Sequence, residues 1–273
     1  MNNKLAIITV TINHDLLNDF FHSLKKQTSK DYQLFLVDVS EGSQPVDGSD
    51  LNLTIIPSDN RGYSYGVNQG IQKAIEEGFS EFCIINDDTF FEKNFVKNVL
   101  SSIDEHPKSI IGGKIYYAPG YEYHKSRYQK NDLGHVLWYA GGKIDWNHVF
   151  IKHKGVDEID TGQYDKESEI DFITGCLISF DRSVIDTIGL WDERYFLYFE
   201  DADYCVRAKR AGLKLMYDPT LIIWHKVSQS TGGSGSKLHQ KYQNKNRVHF
   251  GLKYAPLRTK MHLLKNYALS FLK

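Results

Sequence analysis

The strongest constraint on this chain is a repeated exchange of short apolar runs with amphipathic stretches from residue 4 to residue 117. "KLAIITV" (4–10), "YQLFLVD" (32–38), "LNLTIIP" (51–57) and "EFCIIND" (81–87) are too short for buried helices and rich in β-branched or aromatic residues. Runs of this kind make strands buried on both faces of a parallel sheet. Between the first two, Asn13 or Asp15 is placed to cap a helix with Leu16, Leu17, Phe20, Phe21 and Leu24 on one face. Residues 64–77 read as a helix ended by Gly78, and another runs from about Glu92 to Glu105 before "SIIGGKIYY". Strand and helix in alternation predict an α/β fold, a Rossmann-like, mostly parallel sheet with right-handed crossovers and helices on both faces.

The pattern then changes. Residues 118–168 are polar, aromatic and loop-rich, with weak strand signals around "HVLWYAGGKID". "EIDFITGCLISFD" (169–181) reads as one more buried strand, 182–188 as a short helix, and "LKLMYDPTLIIWH" as one or two strands. "SQSTGGSGS" (228–236) reads as a mobile loop, and the segment after it as a helical tail rich in Lys and Arg and free of acids.

Composition narrows the function classes. A net charge of -1 over 273 residues argues against a dedicated nucleic-acid binder. Cys83 and Cys176 sit inside apolar runs with no CxxC pair, as core residues do. No apolar stretch reaches the roughly 20 residues of a membrane span, and the N-terminal run is a poor signal peptide, so a cytoplasmic location is expected. The 17 Tyr residues suit a surface that handles carbohydrate.

Ligands of open α/β sheets sit beyond the carboxyl ends of the strands. Polar residues collect there: Thr11 to Asn13, Asp38, Asn60, and Asn86-Asp87-Asp88. "NRGYSYGVNQG" (60–70) brings three glycines into a helix start without matching GxGxxG or a P-loop, and is either a ligand loop or a structural turn. Adjacent acids at a dry strand end call for a cation or for donors, and hard oxygen ligands suit Mg²⁺ or Mn²⁺; an Asx-turn is the other reading. His225, alone after "LIIW", carries weight only through its neighbours.

The ordered set "VTIN", "VDVS", "NRGYSYGVNQG", "INDDT", "FITGCLISFDRSVIDTIGLWDERYFLYFEDADYCVRAKRAG" and "WHKVSQS" resembles family 2 glycosyltransferases of the GT-A fold, nearest the rhamnosyltransferase and galactofuranosyltransferase-like branch. The resemblance covers roughly residues 4–231 and keeps the family's order. It implies a nucleotide-sugar-binding half over 1–112, an acceptor-binding and catalytic half of the same domain over 113–227, and an appended loop and tail over 228–273. By that resemblance Thr11, Asn13, Asp38, Asn60, Gly66 and Asn68 line the nucleotide pocket, with Asn86 and Asp87 at the donor. Asp88 and His225 are implied to hold Mg²⁺ or Mn²⁺, and Ser230 to touch the pyrophosphate. Asp201 stands at the catalytic-base position of inverting members, with Trp191, Asp192, Glu193 and Glu200 on the acceptor side. Val39 departs from the Asn often found there, and Asn86 from the usual first Asp.

The expected activity is transfer of rhamnose or another hexose from a dTDP- or UDP-linked donor to a hydroxyl of a glycan or lipid-linked glycan, in cell-surface polysaccharide synthesis. The basic tail is compatible with peripheral contact at the inner face of a membrane. Aromatic neighbours Tyr198, Phe199 and Tyr204 would desolvate Asp201 and raise its basicity, while Arg207 ties down Glu200 or Asp203. Two other classes compete: a nucleotide-sugar-binding protein with a degenerate site, and a nucleotidyltransferase. The second needs a basic glycine-rich loop after the first strand, and "TVTINHD" supplies none.

Overall fold

In the computed structural model, residues 4–41, 46, 48, 50–227 and 236–270 are described, with side chains to residue 265. The apolar runs become strands where expected: β1 (Leu5–Thr11), then α1 (Leu17–Lys25), β2 (Tyr32–Asp38), β3 (Leu53–Pro57), α2 (Tyr63–Glu76) and β4 (Glu81–Ile85). β1 lies between β2 and β4, parallel to both, and β3 extends the sheet beyond β2. Leu5, Ala6, Ile7 and Ile8 of β1 are wholly buried, as a central strand requires. Asn13 caps a single 3-10 turn (His14–Leu16) that leads into α1.

The glycines of α2 are packing devices. A Cβ on Gly66 would stand 2.8 Å from Val10 Cγ1, and one on Gly70 2.5 Å from Ile8 Cγ2. Two glycines four residues apart therefore let one helix face close onto β1. Gly62, at φ +106°, faces Phe196 O, which an added Cβ would meet at 2.6 Å.

The second half continues the same sheet. β5 (Thr89–Phe91), α3 (Phe95–Glu105), β6 (Ser109–Tyr117), β7 (Leu137–Tyr139), β8 (Gly142–Asp145), β9 (Phe150–His153), β10 (Ser168–Glu169), β11 (Leu177–Asp181), α4 (Arg182–Ile188), α5 (Glu200–Arg210) and β12 (Lys214–His225) follow in order. The main path runs β10-β12-β6-β11-β4-β1-β2-β3. β11 enters antiparallel between β4 and β6, while β12 runs parallel to β6 along its length. β6 crosses residue 112, so the two halves share one sheet and one hydrophobic core.

One expectation is corrected here. Residues 169–181 do not form one strand: Ser168–Glu169 pairs with β12, Leu177–Asp181 pairs with β4, and 170–176 leave the main ladder. Phe172 N donates instead to Gly142 O on β8 at 3.1 Å, which turns Thr174 and Gly175 toward the sheet end. "LKLMYDPTLIIWH" is a single strand, whose register slips between Asp218 and Ile222 around Pro219, which lacks an N–H for the ladder.

The acid-free tail is α6 (Lys237–Tyr254) followed by α7 (Leu257–Ser270). α6 is seated on the protein rather than trailing from it. Phe250 is fully buried against Phe199 and stacks on Trp146 at 5.6 Å. Lys253 and Tyr254 both reach the wholly buried Asp203. The Gly-Ser run at 228–235 lies outside the described residues.

Candidate active site

Sheet pairing assembles the first part of the site. β5 pairs antiparallel with the end of β12, setting His225 opposite Thr89. That register places His225 Nε2 3.1 Å from Asp88 Oδ1, with both side chains almost wholly buried. Lys226 N donates to Asp88 O at 2.9 Å and fixes the junction. Beside the pair, burial and the Asp88 charge push the Asp87 carboxyl up to about 7. The Thr11 hydroxyl donates to Asn13 O at 3.2 Å. Burial opposes protonation of His225, but Cys176 and Asp88 outweigh it and raise its pKa.

Asp87 Oδ2 and His225 Nδ1 are buried without a hydrogen-bond partner, while Asp88 Oδ1 has His225 Nε2 beside it at 3.1 Å. Carboxylate and imidazole atoms gathered at one strand end have the donor chemistry that a hard divalent cation accepts. Among the described residues no three His, Cys, Asp or Glu form a complete cage. One carboxylate and one imidazole fit an ion that takes its remaining ligands from a diphosphate, as Mg²⁺ and Mn²⁺ do.

The second part is the start of α5. Asp201 Oδ2 accepts from Gly175 N at 2.9 Å, and Oδ1 from Ala202 N at 2.8 Å. The helix N-terminus favours these acids, yet burial wins and the Asp201 carboxyl rises to about 6. Glu200 is 6% exposed, with Oε2 unpartnered. Burial, then the Asp201 charge, pushes its pKa well above the ordinary carboxylate value. Asp203 is different in kind. Arg207 Nε at 2.8 Å, Lys253 Nζ at 2.6 Å and the Tyr254 hydroxyl at 2.8 Å saturate it. Arg207 therefore ties down Asp203 and not Glu200.

Both parts open into one cavity of about 410 Å³. Asn60, Asn86, Asp87, Asp88, Glu200, Asp201 and His225 line it, as expected. Other expected residues stand behind its wall. Asn68 is 1% exposed, its amide spent on Trp191 N, Trp191 O and Glu193 Oε1. Trp191 stacks on Tyr204 at 5.2 Å, and Asp192 pairs with Arg194 and Lys253. These four brace the connector that leads to Asp201. Gly66 packs on Val10, and Asn13 caps its turn. Asp38 accepts from Ser40 N at 3.0 Å and lies 2.9 Å from His14 Nε2. Burial raises it, but those partners outweigh burial and hold its pKa below the ordinary value. Ser230 lies outside the described residues.

Several wall residues were not singled out by the sequence, Tyr63 among them although it lies inside the 60–70 stretch. Tyr63 donates toward Asn86 Oδ1 at 3.0 Å and Gly175 O at 3.2 Å, bridging the donor loop to the base. Trp138 and His153 come from the β7–β9 region, and Leu238, His239 and Gln243 from α6. Burial lowers His153 to about 4, which keeps its imidazole neutral. A second hollow, about 470 Å³ in volume, is lined by Trp146, Lys209, Arg210 and Tyr254. Its Lys209 is paired with Asp171, and it gathers no comparable chemistry.

Comparison with known proteins gives the family and the fold. Residues 6–189 match the family described as "Glycosyl transferase family 2". An N-acetylglucosaminyl-diphospho-decaprenol L-rhamnosyltransferase of Mycobacterium tuberculosis is 35% identical over 66 residues, 24% of this chain and 22% of the relative. The chain thus spans about a fifth of that relative's length. A dTDP-rhamnosyl transferase of Shigella flexneri is 21% identical over 238 residues, 85% of this chain and 72% of the relative. Among solved structures, GalNAc-T7 with UDP, GalNAc and Mn²⁺ superposes with a TM-score of 0.66 at 14% identity, covering 90% of this chain and 48% of that one. The fold is the GT-A fold that the sequence led us to expect, and the chain belongs to glycosyl transferase family 2.

Proposed function

We propose that this chain is an inverting glycosyltransferase that moves a hexose from a nucleoside-diphosphate donor to an acceptor hydroxyl. What carries the reading is that one cavity holds two separate acidic stations, the Asp88–His225 pair and the Asp201 carboxylate. The first suits a diphosphate with its cation, the second a proton acceptor. Asp201, raised to about 6 by burial, is basic enough to take a proton near neutrality and is still ionised there. It removes the acceptor proton while the acceptor oxygen bonds to the anomeric carbon. The bond from that carbon to the diphosphate oxygen breaks on the opposite face, its electron pair leaving with the nucleoside diphosphate. Asp88 and His225 would hold Mg²⁺ or Mn²⁺, which when bound would offset the charge of the leaving diphosphate. Asn86 and Tyr63 fix the loop between the stations, and the aromatic wall limits water at the acceptor side.

The dTDP-rhamnosyl and decaprenol-linked substrates named for the relatives favour rhamnose as the sugar, dTDP or UDP as the carrier and a lipid-linked glycan as the acceptor. α7 supports work at an anionic membrane face. Leu257, Met261 and Leu264 are 75%, 62% and 48% exposed at helical spacing. Arg258, Lys260 and Lys265 accompany them in a segment without acids. Among the described residues no helix is long and apolar enough to cross a membrane. Sedimentation with phosphatidylglycerol vesicles, lost on Met261→Glu, is the expected result. Equal sedimentation with phosphatidylcholine, or self-association without vesicle binding, would contradict it.

Diphosphate release from a panel of dTDP- and UDP-sugars, with Mn²⁺ and with chelator, tests the activity. Release from one donor class, dependent on metal, is expected. Nucleotide binding without release from any donor, with acceptor glycans present, would favour the degenerate binding protein.

A further inference from the structure

The residues leading into α5 are bulky aromatics in a backbone region that L side chains avoid. Tyr198 has φ +70° and Phe199 φ +72°. Two consecutive left-handed residues without a glycine persist only where the surroundings hold them. Phe199 is also the N-cap position of α5 and makes no side-chain capping bond, so no ordinary cap fixes where the helix begins.

The holding group is on α6. Asn246 is 2% exposed, and its Nδ2 donates to Leu197 O at 2.8 Å and to Tyr198 O at 3.0 Å. Those carbonyls belong to the peptide groups on either side of Tyr198, so a single amide pins both backbone torsions of that residue. Both of its N–H donors are used, and burial leaves no water to replace either. Tyr242 stacks on Phe196 at 4.7 Å and Phe250 packs on Phe199 at 5.3 Å, so α6 covers the whole connector. From the donor-loop side Tyr63 N donates to Phe196 O at 2.8 Å.

We propose that Asn246 is a positioning residue for Asp201. It keeps Tyr198 left-handed, that turn sets where α5 starts, and the start of α5 sets where the Asp201 carboxylate enters the cavity. Among the described residues the Asp201 carboxylate is otherwise held by two backbone N–H groups, from Gly175 and Ala202. The same helix carries Leu238, His239 and Gln243 to the cavity wall, so α6 forms one side of the cavity as well as the support of the base. This inference rests on the reading of Asp201 as the proton acceptor.

Asn246→Asp keeps the shape but replaces the nitrogen that carries both donors with an oxygen facing the two carbonyls, and Asn246→Ala removes the group. In both, kcat for diphosphate release falls at least ~10-fold, toward the ~10²-fold that ångström-scale misplacement costs. The donor KM stays within ~2-fold, because the cation and nucleotide stations are untouched. Tyr198→Gly makes the left-handed turn without help, so the loss caused by Asn246→Ala shrinks to under ~3-fold when measured in that background. Hydrogen exchange gives a readout independent of turnover. Amides 199–203 lose protection in Asn246→Ala and regain it when Tyr198→Gly is added. An unchanged kcat with unchanged exchange, an equal loss in both backgrounds, or protection lost evenly across the sheet would each overturn the proposal. If the wild-type chain releases no diphosphate from any donor, the enzymatic reading fails, and the exchange pattern still decides whether Asn246 holds the turn.

Discussion

Asp201→Asn should cost activity and add stability, and the second effect follows from the burial of the carboxyl. A carboxyl moved from 3.8 to about 6 has its ionised form disfavoured by ~3 kcal/mol in the folded chain. The sign follows from the raised value. Stability linked to this group is fully present below the unfolded pKa of about 3.9 and is lost as pH rises through about 6. At pH 8 the wild-type protein bears the whole penalty, and a neutral amide escapes it. Part of the gain is lost again. Asn offers one oxygen where Asp201 receives N–H groups from Gly175 and Ala202, and one unpaired buried donor costs ~1 kcal/mol or more. The net expectation at pH 8 is ~1–2 kcal/mol in favour of the variant, a rise of several degrees in Tm for a chain of this size. Urea unfolding at a series of pH values measures it. The difference should be largest above pH 7 and vanish or reverse near pH 4.5. Turnover in the same variant should fall ~10²–10⁴-fold, the range for a positioned base. A variant less stable than wild type at pH 8, or a difference that ignores pH, would refute the claim that this carboxylate is held ionised against burial.

Asp88→Ala should weaken Mn²⁺-dependent binding of nucleoside diphosphate by ~10-fold or more, since one protein carboxylate and diphosphate oxygens share the ion; calorimetry with and without chelator reads it. Gly66→Ala should destabilise the chain by ~1–3 kcal/mol through overpacking, measured by thermal unfolding, with donor KM little changed because the added methyl meets Val10 and no ligand. The wild-type kcat should climb as pH passes about 6 and then level, following ionisation of Asp201, and a profile flat from pH 5 to pH 8 would remove that carboxylate from the rate.

The sheet was legible in the sequence because burial in a parallel sheet is written locally, as in "KLAIITV" and "EFCIIND". Asp88, His225 and Asp201 were singled out because their order resembles that of a known family, whereas the cavity they share is a property of register, with His225 opposite Thr89. The partners of Asn68 were not legible, because an asparagine near a helix start looks the same whether it meets a ligand or, as here, the backbone of Trp191. The segment 170–176 was read as strand because its apolar pattern matches one, while the bond that removes it from the ladder comes from Gly142. Asn246 left no local signal at all. Its partners are 48 and 49 residues away, and in a basic helix that also carries Asn244 a buried asparagine is indistinguishable from a solvated one.

The central claim, direct displacement with Asp201 as base, is tested most directly by the anomeric configuration of the product. NMR of the sugar transferred from the accepted nucleotide donor should show the configuration opposite to the donor's, in wild-type protein, from the first turnovers onward. A product that retains the donor's configuration would contradict the account, because a single displacement assisted by one carboxylate cannot give it.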